Sequence, residues 1–407
     1  MITGAKRFCC WLAFAFAFAA TLASTSCGDD EGPLPAFEQV VFEMKAKVEP
    51  GAEAHLCQFV KLPEGDEEIF VKGGVYDTSN GTHHFLLFRT APDMPEQPLG
   101  QPVDCYEGDG VMQYERGFVT GGQLNHDAQE FPFGLALAFQ PGDVLLMQTH
   151  VLNASAEASE ASVRVELTRE DPAAITDRVG TFRFYNPFIY LAPASQAKAT
   201  MRCHIHESVT LLTAGAHMHA RGVGYQAFFD PPGEVANAPF YTTDEWQHPD
   251  YYAGAIKMPA GSAVRFACDY DNPAGEAVVQ GLSAVDEMCM FSAFYYPAQS
   301  IEEEICTSMD SHGSGDRSCA QTVSCIQLCP PEGAPQLSQG SAAVGECFQK
   351  CIVDSCPNVT ATLFPQLTCT ANRCDDECQS YGPICTACVV AQCKPELDAC
   401  QALACDT

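Results

Sequence analysis

Basic residues are scarce in this chain. Lys and Arg together number 21 against 52 Asp and Glu, for a formal net charge of −31 at pH 7. So few cations exclude an unselective nucleic-acid binder, which must displace the counterions of phosphate. Tryptophan occurs only twice, and no apolar run beyond residue 26 is long enough for a membrane-spanning helix. Glycine and proline, 31 and 27 residues, show no collagen period, and 46% hydrophobic content lies outside the disordered range. What is plentiful is cysteine, 23 residues in all. A length of 407 residues is enough for two or three domains with separate cores.

Residues 1–26 read as a signal peptide: Lys6 and Arg7, an apolar run from Phe8 to Ala20 too short to cross a bilayer, then small residues. Ser24-Thr25-Ser26-Cys27 resembles a bacterial lipobox, with Leu22 five residues before the cysteine where that pattern has Leu three before it. Ordinary secretory cleavage is the alternative. Cysteine parity favours acylation: losing Cys9 and Cys10 with the leader leaves an odd number of thiols, and acylating Cys27 leaves an even one that can pair completely. The expectation is an exported protein of the bacterial cell envelope, lipid-anchored and otherwise secreted, touching membrane only through that lipid. Losing Lys6 and Arg7 makes the mature chain more acidic still, so anionic substrates should be repelled at low salt.

Residues 27–36 form an acidic, Gly- and Pro-containing tether. From there to about 305, short runs rich in β-branched and aromatic residues alternate with Gly, Pro and Asn, as in His84 to Phe88, Val144 to Val151 and Met290 to Tyr296. This spacing predicts an all-β fold of two tandem antiparallel β-sandwich domains, 37–170 and 171–305, divided near Asp171-Pro172. In 306–407 the text changes: fourteen cysteines lie between Cys319 and Cys405, with four-residue spacings at Cys325/Cys329, Cys347/Cys351 and Cys374/Cys378. Such spacing puts both thiols on one helix face. Around the breaker Pro330 to Pro335 it predicts a helical hairpin stapled by Cys325–Cys351 and Cys329–Cys347. Zinc at Cys385-x-x-Cys388 is the rival reading. An exported chain favours disulfides.

Five of eleven histidines stand in three strand-like contexts, at His83-His84, His150 and His217-Met218-His219. Residues two apart on a strand share a face, so His217 and His219 can grip one ion. Neighbours point oppositely, so His83 and His84 can share a metal only through reorientation or a β-bulge. Each signal alone is weak, because satisfied core or surface imidazoles look the same. Cys203-His204-Ile205-His206 is a second His-x-His, read as structural; His126 falls in a presumed Gly-rich loop and His248 stays unassigned.

The order of these motifs, followed by Glu287-Met288-Cys289 and Phe294-Tyr295-Tyr296-Pro297, resembles the copper type II, ascorbate-dependent monooxygenases, the group of the peptidylglycine α-hydroxylating and dopamine β-monooxygenases. The resemblance implies jelly-roll-like sandwiches and two coppers per chain, one held by His83, His84 and His150 and the other by His217, His219 and Met288, facing each other across an open cleft. It implies that the all-histidine copper supplies an electron and that the centre of His217, His219 and Met288 is catalytic, hydroxylating a substrate C–H bond with O2 and with ascorbate or a similar reductant. The donor types agree: imidazole suits copper, and a thioether favours Cu(I). A lone Met288 would otherwise be a core filler. Gln148, two residues before His150, is a candidate hydrogen-bonding partner of a ligand, or simply a polar residue on a half-exposed strand.

The resemblance further implies the disulfides Cys268–Cys289 and Cys203–Cys306. The family has three bridges in the first domain, whereas Cys57 and Cys105 alone are available here and are paired with each other. Where the peptide-amidating branch holds a substrate carboxylate with Arg, Asn and Tyr, this chain has Gly215, Met290 and Ser292. Glycine-extended peptides are therefore not expected as substrates, and the small-molecule substrate, the tail's partner and the oligomeric state stay open. Two rival functions remain at this stage: a copper-binding envelope lipoprotein without catalysis, and an adhesion or interaction module.

Overall fold

In the computed structural model, residues 39–407 are described except 108–109, 282, 284, 299–303, 307–312, 314, 330–345, 375–376, 379–381, 404 and 406–407. The signal peptide, Cys27, the tether and the Pro330 to Pro335 breaker lie outside the described residues. Alternation builds the first sheet: in Val40–Val48 the residues Val40, Met44 and Val48 are buried, while Val41, Glu43, Lys45 and Lys47 are exposed. This strand pairs with Ser159–Glu170, and the order continues through Ile69–Thr78, Leu135–Phe139 and Asp177–Arg178. His126–Glu130 pairs beside them with Ile69–Thr78, so His126 opens a strand rather than sitting in a loop. Hydrogen bonding to a neighbouring strand outweighs the turn-forming glycines before it.

The opposing sheet runs Val103–Asp104, Glu53–Lys61, Val144–Leu152, Thr82–Thr90, Glu115–Gly122. Its odd-numbered residues Phe85, Leu87, Leu145 and Met147 enter a shared core with Val163, Val165 and Leu167. Its other face is buried as well, since all seven residues from Leu145 to Val151 are covered. That second burial points His84, Gln148 and His150 away from the sandwich core and toward the rest of the protein.

A second pair of sheets follows. One contains Tyr252–Met258, Val209–His217, Met290–Tyr296, Gly180–Tyr185 and Glu304–Ile305; the other contains Ser195–His204, Ala263–Asn272, Gly222–Asp230 and Tyr241–Thr243. Phe182, Phe184, Leu211, Phe291 and Tyr295 fill the space between them. Phe294 points the other way, with ring centroids 5.6 Å from Phe118 and 5.1 Å from Phe131 of the first sandwich. The ion pair Glu115–Arg183 adds to the same contact.

The tail forms helices α1 (Cys319–Gln327), α2 (Glu346–Val353), α3 (Val359–Arg373), α4 (Pro383–Gln392) and α5 (Lys394–Ala402). A capping box of Ser318 and Gln321 starts α1. Cys325–Cys351 and Cys329–Cys347 staple α1 to α2, and Cys319–Cys400, Cys356–Cys405, Cys369–Cys393, Cys374–Cys388 and Cys378–Cys385 complete the network. Cys385 and Cys388 are thus consumed as disulfides, which removes them as zinc ligands. So small a core needs such cross-links.

The tail is not a loose appendage. Phe188 stacks on Phe364 at 5.4 Å and lies 6.2 Å from Phe348. The fully buried Gln349 accepts hydrogen bonds through Oε1 from the backbone N–H of Ile189 (3.1 Å) and of Gln280 (3.0 Å). An apolar residue there strands the buried Ile189 donor and leaves the Gln280 N–H only its longer bond to the Ile189 carbonyl, 3.3 Å, at a cost of about 1–3 kcal/mol. Gln349→Leu should therefore lower stability by roughly 1–3 kcal/mol in denaturant titration; a change within error would show that the tail docks through its aromatic contacts alone.

Candidate metal centre

Three histidines form a row across three neighbouring strands, because the register pairs His55 with His150 and His150 with His84. Opposed residues in an antiparallel pair project to the same face. The imidazoles of His55 and His150 stack with centroids 4.1 Å apart, and those of His84 and His150 lie 5.3 Å apart. The pairing shifts register between Thr82 and His84, leaving His83 as the extra residue of a bulge. That irregularity puts adjacent histidines on the same side: His83 Nδ1 and His84 Nδ1 are 3.1 Å apart. His83, His84 and His150 together offer three ligand nitrogens within 4.8 Å of one another.

From the other sandwich, Val209–His217 ends with its last residue opposite Met290. His217 and His219 have ring centroids 5.2 Å apart. His83 lies 6.3 Å from His217 and 6.1 Å from His219, and His84 lies 6.1 Å from His217. The two sets thus form a single cluster of five imidazoles, closer together than an open cleft would place them. Met288 is half-buried and lines, with His84, Gln148, His217 and His219, one cavity of about 400 Å³.

Four of the five imidazoles have a polar partner beyond the cluster. Gln148 Oε1 lies 3.1 Å from His84 Nε2, and Glu53 Oε1 lies 2.7 Å from His150 Nε2. Gln123 Oε1 lies 2.8 Å from His217 Nδ1, while its amide donates to the carbonyls of Trp246 and Gln247. The Asp286 carbonyl lies 3.1 Å from His219 Nδ1. Partners of this kind fix ring orientation and tautomer at metal sites.

The segment carrying Met288 is held from both sides. The fully buried Glu287 carboxylate accepts from the backbone N–H of His219 (3.0 Å) and of Arg221 (2.8 Å). Cys289 is bonded to Cys268, and the Tyr270 hydroxyl donates to the Met288 carbonyl at 2.7 Å. Cys57–Cys105 and Cys203–Cys306 are the remaining bridges of the β region. His204 lies against Arg202, the exposed His126 pairs with Asp77, and His248 is exposed.

Burial sets the charge of the cluster. It lowers the proton affinity of His55, His83, His84, His150, His217 and His219, to about 4 for His150 and His219, and at all of these but His55 a neighbouring imidazole pushes the same way. Neutral imidazoles near pH 7 are the form that binds a metal, so these residues fit a copper ion. Burial raises Glu287 in the opposite direction, to about 7.

Sequence reasoning missed Glu53, His55, Gln123 and Glu287. Glu53 and His55 stand two apart on a strand, the same signal that identified His217 and His219. Glu287 was read only as part of a motif around Met288. Nothing local marks Gln123, whose partners lie more than ninety residues away.

Residues 179–317 match the family model described as copper type II ascorbate-dependent monooxygenase, C-terminal domain. No curated protein matches the chain. Among solved structures, the major capsid protein P2 of bacteriophage PM2 is 10% identical, with 63% of this chain and 97% of that chain covered and a TM-score of 0.26. The infectious bursal disease virus Gx strain structure is 10% identical, with 64% and 77% covered and a TM-score of 0.17.

Acid should destabilise the metal-free protein. His150 and His219 bind protons below 6.5 when unfolded but resist them to about 4 when folded, so their stabilisation is present above 6.5 and is lost as pH falls toward 4, and the other buried histidines are lowered in the same direction. Glu287, raised to about 7, opposes this with a single group. Unfolding by denaturant should show a stability at pH 5 lower than at pH 7 by about 1.4 kcal/mol or more, because two or more such imidazoles outweigh the single Glu287. Equal stability at both values would mean that the cluster is solvated.

Proposed function

We propose that the chain is an exported dicopper monooxygenase that hydroxylates a C–H bond of a small organic substrate, using O2 and ascorbate or a similar reductant. The supporting observation is the gathering of His83, His84, His150, His217 and His219 into one cluster whose members His84, His217 and His219 line a cavity with Met288, and in which burial keeps the imidazoles neutral. The family match of residues 179–317 gives the same direction for that half of the site. In this reading His83, His84 and His150 hold one copper, and His217, His219 and Met288 hold the other.

Copper bound at these side chains would supply one-electron transfers and oxygen activation, with soft thioether ligation favouring Cu(I) at Met288. Substrate R–H and O2, with two electrons and two protons, give R–OH and water. The protein's own part is positional. Gln148, Glu53, Gln123 and the Asp286 carbonyl orient the imidazoles, and Glu287 fixes the turn that carries His219. Functionally, 37–170 and 171–305 serve as the two metal-bearing sandwiches and 306–407 as the cross-linked buttress. The dense disulfides suit an extracellular compartment, and acylation at Cys27 would place the protein at the bacterial envelope.

Anaerobic titration should reach two coppers per chain, and adding ascorbate and O2 should then give ascorbate-dependent oxygen uptake. A stoichiometry below two defeats the mechanism. Met288→Ala should retain the fold and the all-histidine copper while oxygen uptake falls at least about a hundredfold, the scale of losing an interaction needed for the chemical step. Full turnover in that variant would remove Met288 from the site.

A further inference from the structure

The cavity beside His217 and Met288 has walls that carry more information than its metal donors. Leu86, Phe88, Met112, Phe118, Met290 and Phe294 make most of its lining apolar. The lining cation, Arg183, is engaged in an ion pair with Glu115. Its acids are Asp127, half-buried, and Glu130, exposed, where water screens them. A carboxylate drawn into this space would lose hydration and meet no uncommitted lining cation, and an ammonium would exchange water for aromatic and thioether surface.

One hydroxyl group reaches the same space from a distant part of the chain. Tyr251 also lines the cavity, and two glycines make room for it. A Cβ on Gly215 would stand 2.7 Å from the Tyr251 ring carbon Cε1, and a Cβ on Gly122 would stand 2.7 Å from its hydroxyl oxygen. Gly215 belongs to one sandwich and Gly122 to the other, so the phenol spans both. Its loop is tied down by the Tyr241 hydroxyl, which donates to the Asp250 carbonyl at 2.6 Å, and by Gln123 at Trp246 and Gln247. The absence of a side chain at 215 therefore does more than delete an anchor. It admits a neutral hydrogen-bonding group in its place.

Resting on the reading of this cavity as the substrate site, we propose that it takes an uncharged, largely apolar substrate and that the Tyr251 hydroxyl holds the substrate's polar group. The phenol can donate to a carbonyl or ether oxygen and can exchange hydrogen bonds with an alcohol. Surrounding Met and aromatic side chains supply the affinity through apolar burial.

The test is calorimetric titration of the full chain with 3-phenylpropan-1-ol, its carboxylate and ammonium counterparts, and propylbenzene. The alcohol should bind about tenfold more tightly than either charged analogue. Tyr251→Phe should weaken the alcohol by about five- to tenfold, toward the affinity of propylbenzene, and leave propylbenzene unchanged. Gly215→Ala should reproduce that loss, because its Cβ evicts the Tyr251 ring. Tighter or equal binding of the carboxylate or the ammonium, an alcohol affinity unaffected by Tyr251→Phe, or no binding of any probe would overturn the proposal. Copper stoichiometry on the same preparations separates the two readings: selective binding without two coppers keeps this assignment and removes the monooxygenase, whereas two coppers without selectivity does the reverse.

Discussion

The structure turns on the burial of neutral imidazoles between two sheets whose outward faces meet. A buried imidazole nitrogen without a partner is costly, and several brought together repel one another once protonated. The fold answers the first demand at four of the rings by placing Gln148, Glu53, Gln123 and a backbone carbonyl beside His84, His150, His217 and His219. His55, stacked on His150, has a buried Nδ1 with no hydrogen-bond partner among the described residues, so this side of the cluster carries an uncompensated polar burial. Polar burial on this scale costs stability.

Rigid supports surround that cluster. Glu287, the Cys268–Cys289 bridge and the Tyr270 hydroxyl fix the backbone on either side of Met288. The same segment continues into the tail, since Glu287 donates its N–H to the Val279 carbonyl and Gln280 is held by Gln349 of α2. A continuous set of hydrogen bonds thus runs from the disulfide-stapled helices to a turn carrying a metal-ligand candidate. This gives the cross-linked tail a physical role beside the site, independent of any partner it has elsewhere.

The meeting of the halves is built from the even-numbered positions of Met290–Tyr296 and of Thr82–Thr90. Alternation along each strand divides labour: Phe291, Phe85 and Leu87 stabilise the two cores, while Met290, Phe294, Leu86 and Phe88 shape the space between them. At Gly215 the space that a side chain would fill is taken by Tyr251 from a remote loop.

Much was legible in the amino-acid text because it depends on local periodicity. Strand alternation, the four-residue cysteine spacings that pair α1 with α2, and the short histidine motifs all follow from where side chains point on a regular backbone. Register and bulges are set by pairing partners far along the chain, so the convergence of His83 with His84, the row from His55 to His84, and the strand beginning at His126 were decided only by tertiary structure. The same holds for Gln123, Glu287 and Tyr251. Their roles arise from distances between segments, and no spacing within any one segment encodes a distance to another.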